Sequence, residues 1–234
     1  MTAAVLTAWL LVASATTQVQ DRVVGLLALP EVFGAGACDR FTPETITLYA
    51  APDSRQVVGS IRVDTYWTFH ERGGCEGLVV NVHRAGAGRV GEFPTREYEY
   101  EAPAAIVLEQ RGRWFRVRLP DGAAWLLASQ RDKFLPLERL LPDRLTYLTS
   151  AWDGRLAASP GAVMTPVERS RPGADVHVRL VELRRVGDDL WVHVEVLSHS
   201  GCESAEEPGV AARGWLPAHA PSGQPTIWFF SRGC

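Results

Sequence analysis

The sequence predicts an all-β fold of small closed sheets in series, joined by short helical connectors. Three observations predict it. A strand-and-turn pattern led and closed by tryptophan occurs twice, as Gly112-Arg113-Trp114 to Trp125-Leu126 and as Asp188-Asp189-Leu190-Trp191 to Gly214-Trp215-Leu216. Apolar residues alternate with polar ones over short runs, the period of half-buried strands. Gly, Pro and Asp punctuate those runs at close intervals, as turns require.

The first fifteen residues read as a signal peptide. Ala3 to Val12 form an apolar run too short to span a bilayer as a helix. Ala13-Ser14-Ala15 follows as a small-x-small cleavage pattern. No Lys or Arg precedes the run, and a buried N-terminal helix is the alternative. Export places the chain in the periplasm or outside the cell, with no transmembrane segment in the mature protein. Residues 16–43 read as a lead-in, with Val23 to Leu29 apolar and Pro30 ending the run.

Residues 44–95 read as a first unit. Ile46, Leu48 and Ala50 alternate before the turn at Pro52-Asp53, then Val57 to Ile61 and Leu78 to Val82 supply further strands. Residues 96–144 read as a second unit. Glu97, Glu99 and Glu101 form a solvated strand face, and Pro103 breaks that run. Ile106 to Leu108 and Phe115 to Leu119 follow as strands around a turn at Gln110-Arg111-Gly112, and Asp121-Gly122 marks a tight turn. Residues 136–141 form one helical turn with Leu137, Leu140 and Leu141 inward, stopped by Pro142. Residues 145–234 read as a third unit. Val176-Val178-Leu180 pairs with Val192-Val194-Val196 across Gly187 to Asp189, and Ile227 to Phe230 is a last strand. Leu156 to Gly161 echoes Leu48 to Asp53. Strict alternation puts Trp114 and Trp191 opposite their strands' aliphatic face.

Leu48 to Pro52, Trp114 to Val117, Trp191 to Val194 and Gly214-Trp215-Leu216 together resemble the bacterial SH3-like (SH3b) domain. Most of residues 44–218 is covered, in patches. The first unit carries Val79 where the strand tryptophan belongs, and the second closes with Ala124-Trp125-Leu126 rather than Gly-Trp. A long insertion enters the third at about 162–174. The resemblance implies small five-stranded barrels in the bacterial envelope that bind cell-wall glycopeptide or a protein partner. Fold alone does not determine function.

Composition and cysteines narrow the classes further. The 24 basic residues, of which only Lys133 is a lysine, are outnumbered by 27 acidic ones. The formal net charge of −3 offers no basic field for nucleic acid. Four cysteines in an exported chain suggest two disulfides, Cys38–Cys75 and Cys202–Cys234, each closing a loop of roughly thirty-odd residues. Each bridge would stabilise by roughly 3–4 kcal/mol in the loop-entropy picture. A zinc site lacks the C-x-x-C or paired Cys/His spacing it needs, and no metal is expected.

Motifs that could carry chemistry are incomplete. Gly86 to Gly91 fits the dinucleotide fingerprint, but Glu92-Phe93-Pro94-Thr95 forbids the helix that would hold a pyrophosphate. It reads as a flexible hairpin or a loop between units, and no cofactor is expected. Ser198-His199-Ser200-Gly201-Cys202 resembles the nucleophile motif of L,D-transpeptidases, without its following arginine. Glu203, Glu206 and Glu207 would raise the thiol pKa and oppose catalysis. No histidine pair has metal-binding spacing, and no G-x-S-x-G elbow is present.

The expectation is a non-catalytic envelope protein with Trp125, Tyr147, Trp152 and Trp215 as candidate ligand contacts. Aromatic residues clustered at unit ends, without a catalytic set, motivate it. The alternatives are a cysteine-dependent cell-wall enzyme using Cys202 and His199, or a structural accessory subunit whose tryptophans pack between units. Trp152-Asp153-Gly154 is read as a plug between units more readily than as a ligand platform.

Overall fold

The computed structural model describes residues 21–33, 44–69, 74–167, 176–203 and 206–233. The signal peptide expected at 1–15 lies outside them. The first sheet comprises β1 (Gly25–Ala28), β2 (Ile46–Tyr49), β3 (Val57–Phe69), β4 (Gly74–Arg84), β5 (Gly88–Glu92), β6 (Thr95–Glu99), β7 (Ala102–Arg111), β8 (Trp114–Leu119), β9 (Gly122–Leu127) and β10 (Lys133–Pro136). One-turn helices α1 (Pro30–Phe33) and α2 (Leu137–Leu140) flank it. The second sheet comprises β11 (Thr146–Leu148), β12 (Arg155–Ala157), β13 (Met164–Pro166), β14 (Val176–Val186), β15 (Asp189–Leu197), β16 (Val210–Pro217) and β17 (Ile227–Phe229). All pairings are antiparallel, as local hairpin connections favour. The all-β class is therefore observed, in two open sheets rather than closed barrels.

The tryptophan-led repeat has a topological counterpart. The first sheet contains the order β7-β8-β9-β2-β3, and the second contains β14-β15-β16-β12-β13. In each, the strand before the Leu-x-x-x-Pro turn meets the closing strand at its tryptophan, Tyr49 opposite Trp125 and Ala157 opposite Trp215. The close approach in the second sheet explains Gly214. A Cβ there would stand 2.8 Å from Leu156 Cβ and 2.9 Å from the Ala157 carbonyl oxygen. The repeat thus occurs twice. Segments 44–95 and 96–144, expected as separate units, share one sheet because β2 pairs with β9.

Turn chemistry decides the local structure. Gly112 and Gly187 take positive φ in the hairpins that precede Trp114 and Trp191. The glycine run after β4 forms the β4–β5 hairpin, with Ala87 N–H donating to the Arg84 carbonyl. No helix follows it, and Gly88 to Gly91 lie in β5, the second arm of that hairpin. The 136–141 segment makes the expected helical turn, with Leu137, Leu140 and Leu141 all buried. Pro103 differs from expectation. It sits just inside β7, opposite Glu97, and the reversal falls before it, where Glu101 takes φ 52°.

Two cores hold the sheets. Leu48, Ile61, Val80, Val82, Phe115, Val117 and Leu126 line one, around which the first sheet curls. Val178, Val192, Val194, Val196, Leu216, Ile227 and Trp152 from the second-sheet side line the other. Two strands serve both. On β7, Ala105 and Val107 enter the first core while Ala104, Ile106 and Leu108 enter the second. On β1, Leu27 enters the first and Leu26 the second. Strands buried on both faces read as continuous apolar runs. That is why Gly25-Leu26-Leu27-Ala28 and Ala104 to Leu108 lack alternation. The segment read as a lead-in is therefore an interior strand between β10 and β7. Gly25 allows that fit, since a Cβ would meet the Leu135 carbonyl oxygen at 2.4 Å.

Polar contacts join the sheets at their rims. Arg22 pairs with Asp189 at 2.7 Å, and Arg185 with Glu138. Exposed pairs of this kind stabilise by about 0–1 kcal/mol. His219 Nε2 donates to the Val23 carbonyl at 2.7 Å, which requires the Nε2–H form of the ring. Burial lowers the His219 pKa, opposed by that hydrogen bond, with Arg22 lowering it further and Asp189 and Glu138 raising it. A histidine pKa depressed by folding means that the unfolded chain binds more protons. Its contribution is full above the unfolded value near 6.5 and is lost as pH falls through that value towards the folded one. Urea midpoints at pH 7 and 5 should fall further for wild type than for His219→Gln. Equal falls would remove His219 from the acid response.

Candidate functional site

A groove of about 420 Å³ opens between β6 and the β11–β17 pair, at the rim where the two sheets meet. Thr95, Arg96 and Glu97 form one wall, and Tyr147 with Trp228 to Ser231 the other. β6 supplies its residues because hairpin pairing with β7 stands it at the sheet's end. β17 is placed by register with β11, Tyr147 opposite Trp228.

The aromatic wall is packed in layers. Trp228 and Phe229 are buried as its floor. Tyr147 lies against Phe230 with centroids 4.6 Å apart, and His177 stacks on the same ring at 5.6 Å. The Arg96 guanidinium sits 4.6 Å from the Trp228 ring centre, a cation–π geometry. Arg144 lies over Phe229 and donates to the Tyr98 carbonyl, holding β6 against the second sheet.

Glu97 has a different role from the one its alternating acidic run suggests. It accepts from Ser231 Oγ at 2.7 Å and from Arg232 Nη2 at 2.9 Å. Those hydrogen bonds, first Arg232 and then Ser231, hold its carboxyl below the usual carboxylate range against a smaller opposing effect of burial. Glu99 and Glu101 are exposed, as a solvated face requires. The groove offers aromatic faces, a guanidinium and a carboxylate already engaged by the chain. That equipment suits binding.

Of the four aromatic residues expected to contact ligand, only Tyr147 lines this groove. Trp152 is buried among the residues shared between the sheets, and its Nε1 donates to the Arg155 carbonyl at 2.8 Å. Trp125 and Trp215 lie on the faces opposite Leu126 and Leu216, yet each is only 6% exposed. Arg111 covers Trp125 at 5.2 Å. Arg184 covers Trp215 at 4.8 Å, and His193 stacks beside it at 4.9 Å and 10°. Both closing tryptophans are therefore roofed by arginines. Trp114 is half-buried, donating Nε1–H to Asp53 at 3.0 Å with its ring edge-on to Tyr49.

Sequence reasoning missed Arg96, Glu97 and Phe230 as groove residues. The aromatic run Trp228-Phe229-Phe230 was a signal. Nothing local marks Arg96 or Glu97, because a distant strand makes the groove.

Cys202 is disulfide-bonded. Cys38, Cys234 and the side chain of Cys75 lie outside the described residues, so the two expected pairings do too. The His199 ring contacts Ser198 Oγ at 3.0 Å and the Glu206 carbonyl at 3.3 Å. Among the described residues, no three His, Cys, Asp or Glu side chains are grouped to hold a metal ion. No helix among them is long and apolar enough to cross a membrane. No protein-family model, curated protein or solved structure matches the chain.

Proposed function

We propose that this chain is an exported bacterial envelope protein built from SH3-like units, which binds cell-wall glycopeptide without catalysis at the Tyr147 groove. The observation that carries this reading is the groove's make-up. Tyr147 and Phe230 pack together as an aromatic pair in its wall, against whose exposed edge a sugar or peptide can rest. Arg96 is placed to pair with a carboxylate, and the one carboxylate lining the groove is already taken by Ser231 and Arg232. A glycopeptide carries sugars, amides and carboxylates together. The five-strand order present in both sheets supports the SH3-like reading.

Co-sedimentation with purified cell-wall sacculi tests the function. Wild type should pellet with the sacculi. Tyr147→Ala with Arg96→Gln should lower the bound fraction about tenfold while leaving the thermal midpoint within a few degrees. Wild-type protein that stays in the supernatant would overturn the reading.

Two other readings remain distinct from it. The buried Trp125, Trp152 and Trp215 favour a structural accessory subunit, which would ignore sacculi and lose nothing at Tyr147. A cysteine-dependent enzyme would need Cys202 as a thiolate, and a disulfide sulfur is not one.

A further inference from the structure

A cavity of about 520 Å³ opens between the start of β1, the far end of β7, β10 and α2, with Arg185 of β14 reaching over it. It shares no lining residue with the Tyr147 groove. Its size falls within the range of small-molecule sites, about 300–1,000 Å³. Val24, Leu108, Phe134 and Pro136 give it an apolar lining. The position of α2 is set by Leu137 N–H donating to the Val24 carbonyl at 3.0 Å, so the lining is built on paired backbone.

The charges around this lining are unequally matched. Glu109 accepts from Arg111 Nε at 2.7 Å. Glu138 accepts from Arg185, and Gln110 donates to the Gly112 carbonyl at 3.2 Å. Arg139 alone of the charged lining residues has no hydrogen-bond or ion-pair partner among the described residues. Both carboxylates are thus neutralised by the chain, and one guanidinium is left for a guest.

We propose that this cavity binds a small amphipathic carboxylate. Its alkyl or aryl body lies on Val24, Leu108, Phe134 and Pro136, and its carboxylate pairs with the Arg139 guanidinium. A guanidinium fork matches a carboxylate in a two-bond geometry that a neutral amide cannot reproduce. An ammonium guest would face Arg139 and Arg185 and find both glutamates already engaged.

Octanoate is the probe, with octanamide and octylammonium as its neutral and reversed counterparts. In an amide chemical-shift titration to millimolar concentration, octanoate should give saturable shifts at Glu109, Gln110, Glu138 and Arg139. Octanamide should bind about tenfold more weakly. Arg139→Gln should weaken octanoate about tenfold, to the level of octanamide. Arg139 is exposed, so the variant should keep the wild-type thermal midpoint, and Arg139→Lys should recover part of the affinity. The inference is overturned by no saturable shift, by octylammonium binding as tightly, or by unchanged affinity in Arg139→Gln.

Discussion

Deleting residues 21–29 is expected to abolish cooperative folding. The segment precedes the repeats in sequence and was expected to lead into them, but β1 lies inside the first sheet with partners on both edges. Leu26, Leu27 and Leu29 are essentially inaccessible to solvent. Burying each stabilises by about 1.5–3 kcal/mol, so the three approach the total of roughly 5–15 kcal/mol typical of a domain. Removing β1 would also leave one edge of β7 and of β10 unpaired and open both cores at once. The check is a urea melt followed by tryptophan fluorescence and far-ultraviolet dichroism. The expected variant shows no sigmoidal transition and binds a hydrophobic dye. A deletion variant with the wild-type midpoint would show that β1 is dispensable and that the two cores stand without it.

Trp152→Ala should be the most damaging single change named here. The ring is 4% exposed among residues of both sheets, beside Leu156 and other members of the shared core. Its Nε1–H satisfies the Arg155 carbonyl at 2.8 Å. Truncation leaves a cavity and an unpaired carbonyl, and large-to-small changes of this kind cost about 3–5 kcal/mol. The measured quantity is the shift in unfolding free energy from denaturant titration. Trp152→Phe should recover most of the packing and not the hydrogen bond, leaving a residual loss of about 1 kcal/mol. An alanine variant within about 1 kcal/mol of wild type would mean that Trp152 is not a plug between the sheets.

Both expectations bear on binding. A tryptophan that holds two sheets together cannot also be a ligand platform without exposing their shared core. Trp125 and Trp215 are each 6% exposed, beneath Arg111 and Arg184. Tyr147 differs because its strand lies next to the edge strand β17, where a groove opens beside β6 of the other sheet. Exposure of an aromatic side chain depends on what lies over it, and alternation along a strand reports only which side it takes.

Much of the local structure was legible from residue order. Positive-φ glycines, Pro-Asp and Asp-Gly pairs and period-two runs dictate hairpins through backbone sterics that act over a few residues. The Leu137–Leu141 turn, the Trp-led strands and their aliphatic inner faces follow from the same short-range rules. The matching of Leu48 to Asp53 with Leu156 to Gly161 correctly pointed to a repeated element. Its number was not legible, since grouping strands into sheets depends on partners far apart in sequence, such as Tyr49 and Trp125.

The sequence by itself therefore determined the all-β class, the hairpins, the repeat and the sides on which the tryptophans lie. Tertiary structure alone decided that β1 is interior, that the first two expected units form one sheet, and that Arg96, Glu97, Tyr147 and Phe230 share a groove. The reason is the range of the forces. Turn sterics and pleat alternation act between neighbours, whereas burial, arginine roofing and rim grooves arise only when remote strands meet and exclude water from one another.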